Sequence, residues 1–176
     1  FTKFVPNPGP MTQSVVEHYI DQSMKKMNVD VIDVIQFHWW DYNDTSYIDA
    51  LHQLTKLRDN GKISHLALTN FDTERMQIMN DNGIKLISNQ VQYSIIDQRP
   101  DVKMASFCKR HDMKLLAYGT LLGGLLSEKY LGASEPTRAD LDTYSLQKYM
   151  NMIDAWGGWN LFQELLTVLD EIAKKY

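Results

Sequence analysis

The amino-acid sequence predicts an α/β fold built from parallel strand–helix units, and three observations carry that reading. Apolar β-branched stretches alternate with amphipathic stretches of helical period. Each strand-plus-helix unit occupies about 30 residues, the length of a βαβ repeat. The strands also end in polar or amphipathic side chains where ordinary turn residues would suffice. The clearest case is "VDVIDVIQFHWWDYND", Val29 to Asp44, whose strand-like run closes on His38, Trp39, Trp40 and Asp41. An imidazole against two indoles is the composition of a small-molecule pocket.

In chain order, Thr2 to Val5 is short and extended, and the prolines and glycine of Pro6 to Pro10 force a loop. Thr12 or Ser14 caps a first helix, in which Val16, Ile20, Met24 and Met27 recur on one face. Val31 to Phe37 is a strand. Thr45 or Ser46 opens a second helix striped by Ile48, Leu51, Leu54 and Leu57 and ended by Asn60-Gly61. Ile63 to Thr69 is a strand; Asp72 or Thr73 caps a helix running to Asn82-Gly83; Ile84 to Gln92 is the next strand. Asp101 to His111 is helical and Lys114 to Tyr118 extended. From Gly119 to about Gly158 the pattern is less regular, and a last helix, Asn160 to Lys175, is expected to bury Leu161, Leu165, Leu169 and Ile172.

The 176 residues, 44% hydrophobic, form an expected single domain over 1–176. A net charge of −4 with no basic–aromatic cluster argues against nucleic acid as a partner. No apolar run approaches the roughly 20 residues of a membrane span, so a soluble, cytoplasmic protein is expected. One cysteine, Cys108, forms no internal disulfide and is read as buried packing. The histidines lack partners at metal-ligand spacing, and no metal site is expected. Trp156 and Trp159 flank a Gly-Gly turn and are read as anchors of the last helix.

Two parallel architectures fit this alternation. A doubly wound dinucleotide-binding sheet needs a GxGxxG turn after an early strand, and the sequence has none. The (β/α)8 barrel of TIM type is the better reading, incomplete here because five βα units are present where a full barrel takes about 250 residues. In such barrels the C-terminal strand ends face the active site. Those ends carry Lys3, His38 with Trp39, Thr69 with Asn70, Asn89 with Gln90, and Tyr118.

The stretches "TKF", "VDVIDVIQFHWW", "NGKISHLALTNF", "SNQVQYS" and "AYGTLLGG", in this order and spacing, resemble strands three to seven of the aldo-keto reductase family. The resemblance implies reduction of an aldehyde or ketone to an alcohol, with a nicotinamide cofactor as hydride donor and a tyrosine hydroxyl as proton donor. NADP(H) is favoured and NAD(H) is the alternative. Of the family's Asp, Tyr, Lys and His tetrad, Lys3 matches the lysine and His38 the histidine. Trp39 matches a wall of the substrate pocket. Thr69, Asn70 and Gln90 match positions around the nicotinamide carboxamide, and Tyr118 the ring that stacks on the nicotinamide. Gly119, Leu121 and Gly123 fall in the loop that approaches the pyrophosphate. The family's Asp and Tyr precede the lysine strand, and its eighth strand follows the segment matched here, so neither is among these residues.

By residue type alone each position has a plainer reading. A strand-end histidine is commonly structural, amides commonly cap helices or satisfy backbone groups, and a tyrosine commonly packs. The ordered set favours the functional reading. Two alternatives stay open: a non-catalytic nicotinamide-binding regulatory or structural relative, and an inactive fragment whose open sheet edges promote self-association. A small carbonyl compound is the expected substrate.

Overall fold

A computed structural model describes all of residues 1–176. Five strands form one sheet in the order β1-β2-β3-β4-β5: β1 Thr2–Phe4, β2 Ile32–His38, β3 Ile63–Thr69, β4 Ser88–Gln92 and β5 Lys114–Tyr118. Sequence order equals spatial order, and the first three pairings are parallel. Each parallel return needs a crossover on one face, supplied by α1 Gln13–Met27, α2 Tyr47–Asp59 and α3 Thr73–Asp81. The short helices α4 Arg99–Val102 and α5 Met104–Arg110 follow β4, and α6 Tyr144–Trp156 and α7 Gly158–Lys175 follow β5. This is the incomplete barrel of five βα units that the sequence predicts.

The chain divides into two compact units: Phe1–Val91 with Pro100–Leu116, and Gln92–Arg99 with Ala117–Tyr176. The first is organised by the aromatic ladder Phe4–Phe37–Phe71, whose ring centroids stand 5.5 and 5.7 Å apart. Val16 and Ile20 of α1 and Leu51 and Leu54 of α2 are fully buried in the same core. The starts of α1 and α3 are capped as their residue types imply, while Ser46 at the start of α2 makes no side-chain cap bond. The Thr12 hydroxyl accepts from Val15 N–H and the Asp72 carboxylate from Arg75 N–H. Buried Cys108 packs in this core, as its type implies.

The second unit has its own core, centred on Leu122, Leu125, Tyr149, Ile153, Trp159 and Phe162. Two expectations are corrected here. The segment read as irregular contains α6, a 13-residue helix capped by the Thr143 hydroxyl on Leu146 N–H at 3.1 Å and ended at Gly157. In α7 the buried positions are Trp159, Phe162 and Leu166, while Leu161 and Ile172 are exposed. That helix is apolar on two neighbouring stripes, and the aromatic stripe removes more surface from water. Trp159 anchors it, donating from Nε1 to the Ala133 carbonyl at 3.0 Å.

Smaller differences concern boundaries. The helix expected over 101–111 is broken at Lys103, whose φ of −139° separates α4 from α5. β4 begins at Ser88 instead of Ile84, although Ile87 already bonds to both neighbouring strands through Leu66 and Lys114. No helix is long and apolar enough to cross a membrane.

Candidate active site

In the first unit, register brings His38 and Thr69, at the ends of β2 and β3, level with Gln90 of β4 and sets Lys3 of β1 two residues short of them, on the same face. Lys3 pairs with Gln36, His38 with Thr69, and Thr69 with Gln90. Because strand side chains alternate between faces, Gln36 and His38 share one face of β2, and Phe37 and Trp39 take the other. Lys3, His38, Thr69 and Gln90 thus form a row of polar groups across four adjacent strand ends.

His38 is half-buried. Burial first, and the nearby Lys3 ammonium second, hold its pKa below the ordinary histidine value. The imidazole is therefore neutral at neutral pH, with one N–H to donate and one lone pair to accept. Thr69 is 4% exposed and its hydroxyl has no protein partner. A buried hydroxyl without a partner is costly, and its place between His38 and Gln90 in the row gives it a natural use in binding a polar ligand.

Asn70 follows Thr69 with a φ of +62°, the left-handed region that asparagine tolerates better than most residues. Both of its backbone groups are engaged. Its N–H donates to the Gln90 carbonyl at 2.9 Å, and its carbonyl accepts the Tyr42 hydroxyl at 2.9 Å. The backbone turn that carries the amide is thus fixed from two strands. Tyr42 is consumed by this role: desolvation, then the Asp72 carboxylate, push its phenol up to about 12, and Arg75 covers its ring at 4.2 Å. A phenol so disfavoured from ionising is a poor candidate for the proton donor.

Trp39 departs from expectation. It is 1% exposed, packs on Phe37, and spends its indole N–H on the Asp41 and Asp44 carbonyls at 2.7 and 3.0 Å. It cannot offer a face to substrate. The cause is parity: Trp39 is one residue from His38 and faces the opposite side of the sheet. Trp40 is 65% exposed, with its ring centroid 4.3 Å from that of His38. It is the indole beside the histidine, and the sequence analysis, which counted both indoles toward a pocket, gave the wall to Trp39 alone. The HWW order was the available signal, since i and i+2 share a face. Asn89 likewise turns away from the polar row and donates to the Phe71 carbonyl at 2.8 Å inside the core.

In the second unit, β5 ends at half-buried Tyr118, and the loop turns at Gly119 and Gly123 with φ of +71° and +66°. Tyr149 of α6 lies directly against this loop. A Cβ on Gly119 would stand 2.4 Å from its hydroxyl oxygen, and one on Gly123 would stand 3.1 Å from its ring. Glycine is required at Gly119 both for the backbone angle and for the approach. Leu121 is 62% exposed on the same loop, while Leu122 is in the core. Sequence reasoning also missed Gln92, Asp97, Arg99 and Lys148, which gather in this unit.

The strand ends of an open parallel α/β sheet thus carry a lysine, a histidine and two amides along one edge of an incomplete barrel. Comparison with known proteins identifies the family. The profile of the Aldo/keto reductase family matches residues 1–176, and the chain belongs to that family. Flagellar radial spoke protein 5 of Chlamydomonas reinhardtii is 29% identical, the match covering 82% of this chain and 31% of that protein. The chloroplastic pyridoxal reductase of Arabidopsis thaliana is 23% identical over 77% of this chain and 39% of the relative. Among solved structures, an aldo/keto reductase from Klebsiella pneumoniae in complex with NADP and acetate superposes with a TM-score of 0.63 at 22% identity. That match covers 89% of this chain and 51% of the other, and it shows the fold. The chain spans about a third of the length of these curated relatives and about half of that structure.

Proposed function

We propose that this chain carries the lysine, the histidine and cofactor-contacting residues of a carbonyl reductase that uses NADP(H), with NAD(H) the alternative, and acts on a small aldehyde or ketone in the cytoplasm. The observation that carries the reading is His38. It is a half-buried imidazole kept neutral at a strand end by burial and by Lys3, in a row with the partnerless Thr69 hydroxyl.

The bound cofactor supplies a hydride equivalent. The neutral His38 ring donates its N–H to the carbonyl oxygen and orients it. The Lys3 ammonium favours negative charge on a phenol brought near it, which eases proton donation. Trp40, not Trp39, supplies the flat wall beside His38. Asn70 and Gln90 hold the nicotinamide carboxamide through paired donors and acceptors, with the Thr69 hydroxyl beside them. Tyr118 supplies a stacking ring, and the loop through Gly119, Leu121 and Gly123 permits close backbone approach to a phosphate. The buried hydroxyl without a partner and the glycine turns both fit such a cofactor.

The test is titration of the protein with NADPH, following nicotinamide fluorescence, and then addition of an aldehyde panel. Saturable binding that weakens about tenfold in Asn70→Ala and in Gln90→Ala is expected, each variant losing hydrogen bonds to the ligand. Wild-type protein that binds neither NADPH nor NADH overturns the reading. A second reading, a cofactor-binding structural subunit, is favoured by the likeness to a radial spoke protein. Tight binding without reduction, in the length of protein that its source makes, would establish it.

A further inference from the structure

Gln92–Arg99 and Ala117–Tyr176 bring together a cluster of charged side chains that the proposed reaction does not use. At its base is Asp97, 4% exposed. Its carboxylate accepts from Arg99 Nε and Nη2, both at 2.7 Å, and from Gln92 Nε2 at 3.0 Å. A two-way bridge between Ser94 and Asp97, with both N···O distances 3.1 Å, fixes the backbone beneath it. Both carboxylate oxygens are thereby engaged. Arg99 is 80% exposed in its side chain and uses only its Nε/Nη2 edge, so Nη1 faces away from the carboxylate.

The second cation is Lys148 of α6. Its ammonium lies 5.2 Å from the Tyr118 ring centroid and 5.0 Å from that of Tyr149, the ring packed under the glycine loop. It pairs with no carboxylate at salt-bridge distance, yet it feels both Asp97 and Arg99. Arg99 in turn interacts electrostatically with Tyr118. Two elements, α4 and α6, therefore each bring a cation that interacts with Tyr118 at the end of β5, against one carboxylate, Asp97, that Arg99 already bridges. An ammonium without a salt-bridge partner, held against aromatic rings, together with a guanidinium that has an open edge, is the donor set of an oxyanion site.

We propose that Lys148 and Arg99 form a seat for a phosphate-type oxyanion beside Tyr118. Asp97 and Gln92 are its positioning residues, aiming the guanidinium without touching the ligand. Two sources present this chemistry: the pyrophosphate of the cofactor and the phosphate of a phosphorylated carbonyl substrate. Both sources rest on the function proposed above; the binding of inorganic pyrophosphate does not.

The test uses the whole chain and equilibrium binding. Inorganic pyrophosphate should bind wild-type protein, about tenfold more weakly in Lys148→Met and in Arg99→Gln, and with most of the affinity kept in Lys148→Arg. Lys148→Met retains the apolar stem, and an unchanged circular dichroism melt shows that it folds. To separate the sources, NADPH is compared with reduced nicotinamide riboside, which lacks phosphate, and glyceraldehyde 3-phosphate with glyceraldehyde. A Lys148→Met loss confined to NADPH, or to the phosphorylated aldehyde, identifies the source. Equal losses for the riboside and for NADPH overturn the proposal, because Lys148 then acts only through Tyr118. Absent binding of pyrophosphate to wild type, or binding indifferent to both substitutions, also overturns it. Pyrophosphate binding without NADPH binding leaves the seat standing and removes the cofactor reading.

Discussion

His38 shows how one side chain is tuned by where the strand leaves it. Two causes depress its pKa: burial, the larger, and the Lys3 charge. A histidine whose folded pKa lies below its unfolded value of 6.5 binds protons more readily in the unfolded chain. Its contribution to stability is full above 6.5 and is lost as pH falls from there through the folded value. The Cε1 proton resonance of His38 should titrate below 6.5, and Lys3→Met should move the midpoint upward but short of 6.5, because burial remains. A midpoint unchanged by the substitution would show that the lysine does not act on the ring. At this scale the sequence was informative about position: Lys3, His38, Asn70 and Gln90 stand at or near the strand ends that its periodicity predicts. It was misleading for Trp39, because adjacency in a motif was read as adjacency in space.

Among elements, the glycine loop and α6 are the pair whose fit is tightest. Gly119 admits no side chain without displacing the Tyr149 hydroxyl. Gly119→Ala should destabilise the protein by about 1–3 kcal/mol through positive φ and overlap together. Gly119→Ala combined with Tyr149→Phe should recover part of that loss, since the phenylalanine lacks the overlapping oxygen. A double-mutant cycle by urea denaturation reads the coupling, and strict additivity would mean that the contact is not the source of strain. The sequence left this pairing unseen because α6 hid in a segment broken by Gly132, Pro136 and several turn residues. Its helical spacing is nonetheless there in Leu146, Met150 and Ile153, behind the cap at Thr143.

For the molecule as a whole, the alternation of strands and helices sufficed to give the order and the parallel sense of the sheet. Periodicity constrains backbone hydrogen bonding, which is local and repetitive. Core membership was less legible where two apolar stripes compete on one helix, as in α7. Which stripe is buried depends on residues remote in sequence, here Leu122, Leu125 and Tyr149. Phe162, fully buried in that cluster, should prove the costlier position: Phe162→Ala is expected to lose about 3–5 kcal/mol, whereas Leu161→Ala should stay within about 1 kcal/mol. Thermal melts of the two variants decide it, and comparable losses would restore the leucine stripe as the packed face.

The two indoles after His38 carry one more lesson. Each of them owes its station, one sealed in and one outdoors, only to whether its distance from the imidazole is odd or even. A single residue inserted between His38 and the indoles would bring the first of them beside the imidazole and turn the ring that now flanks it into filler.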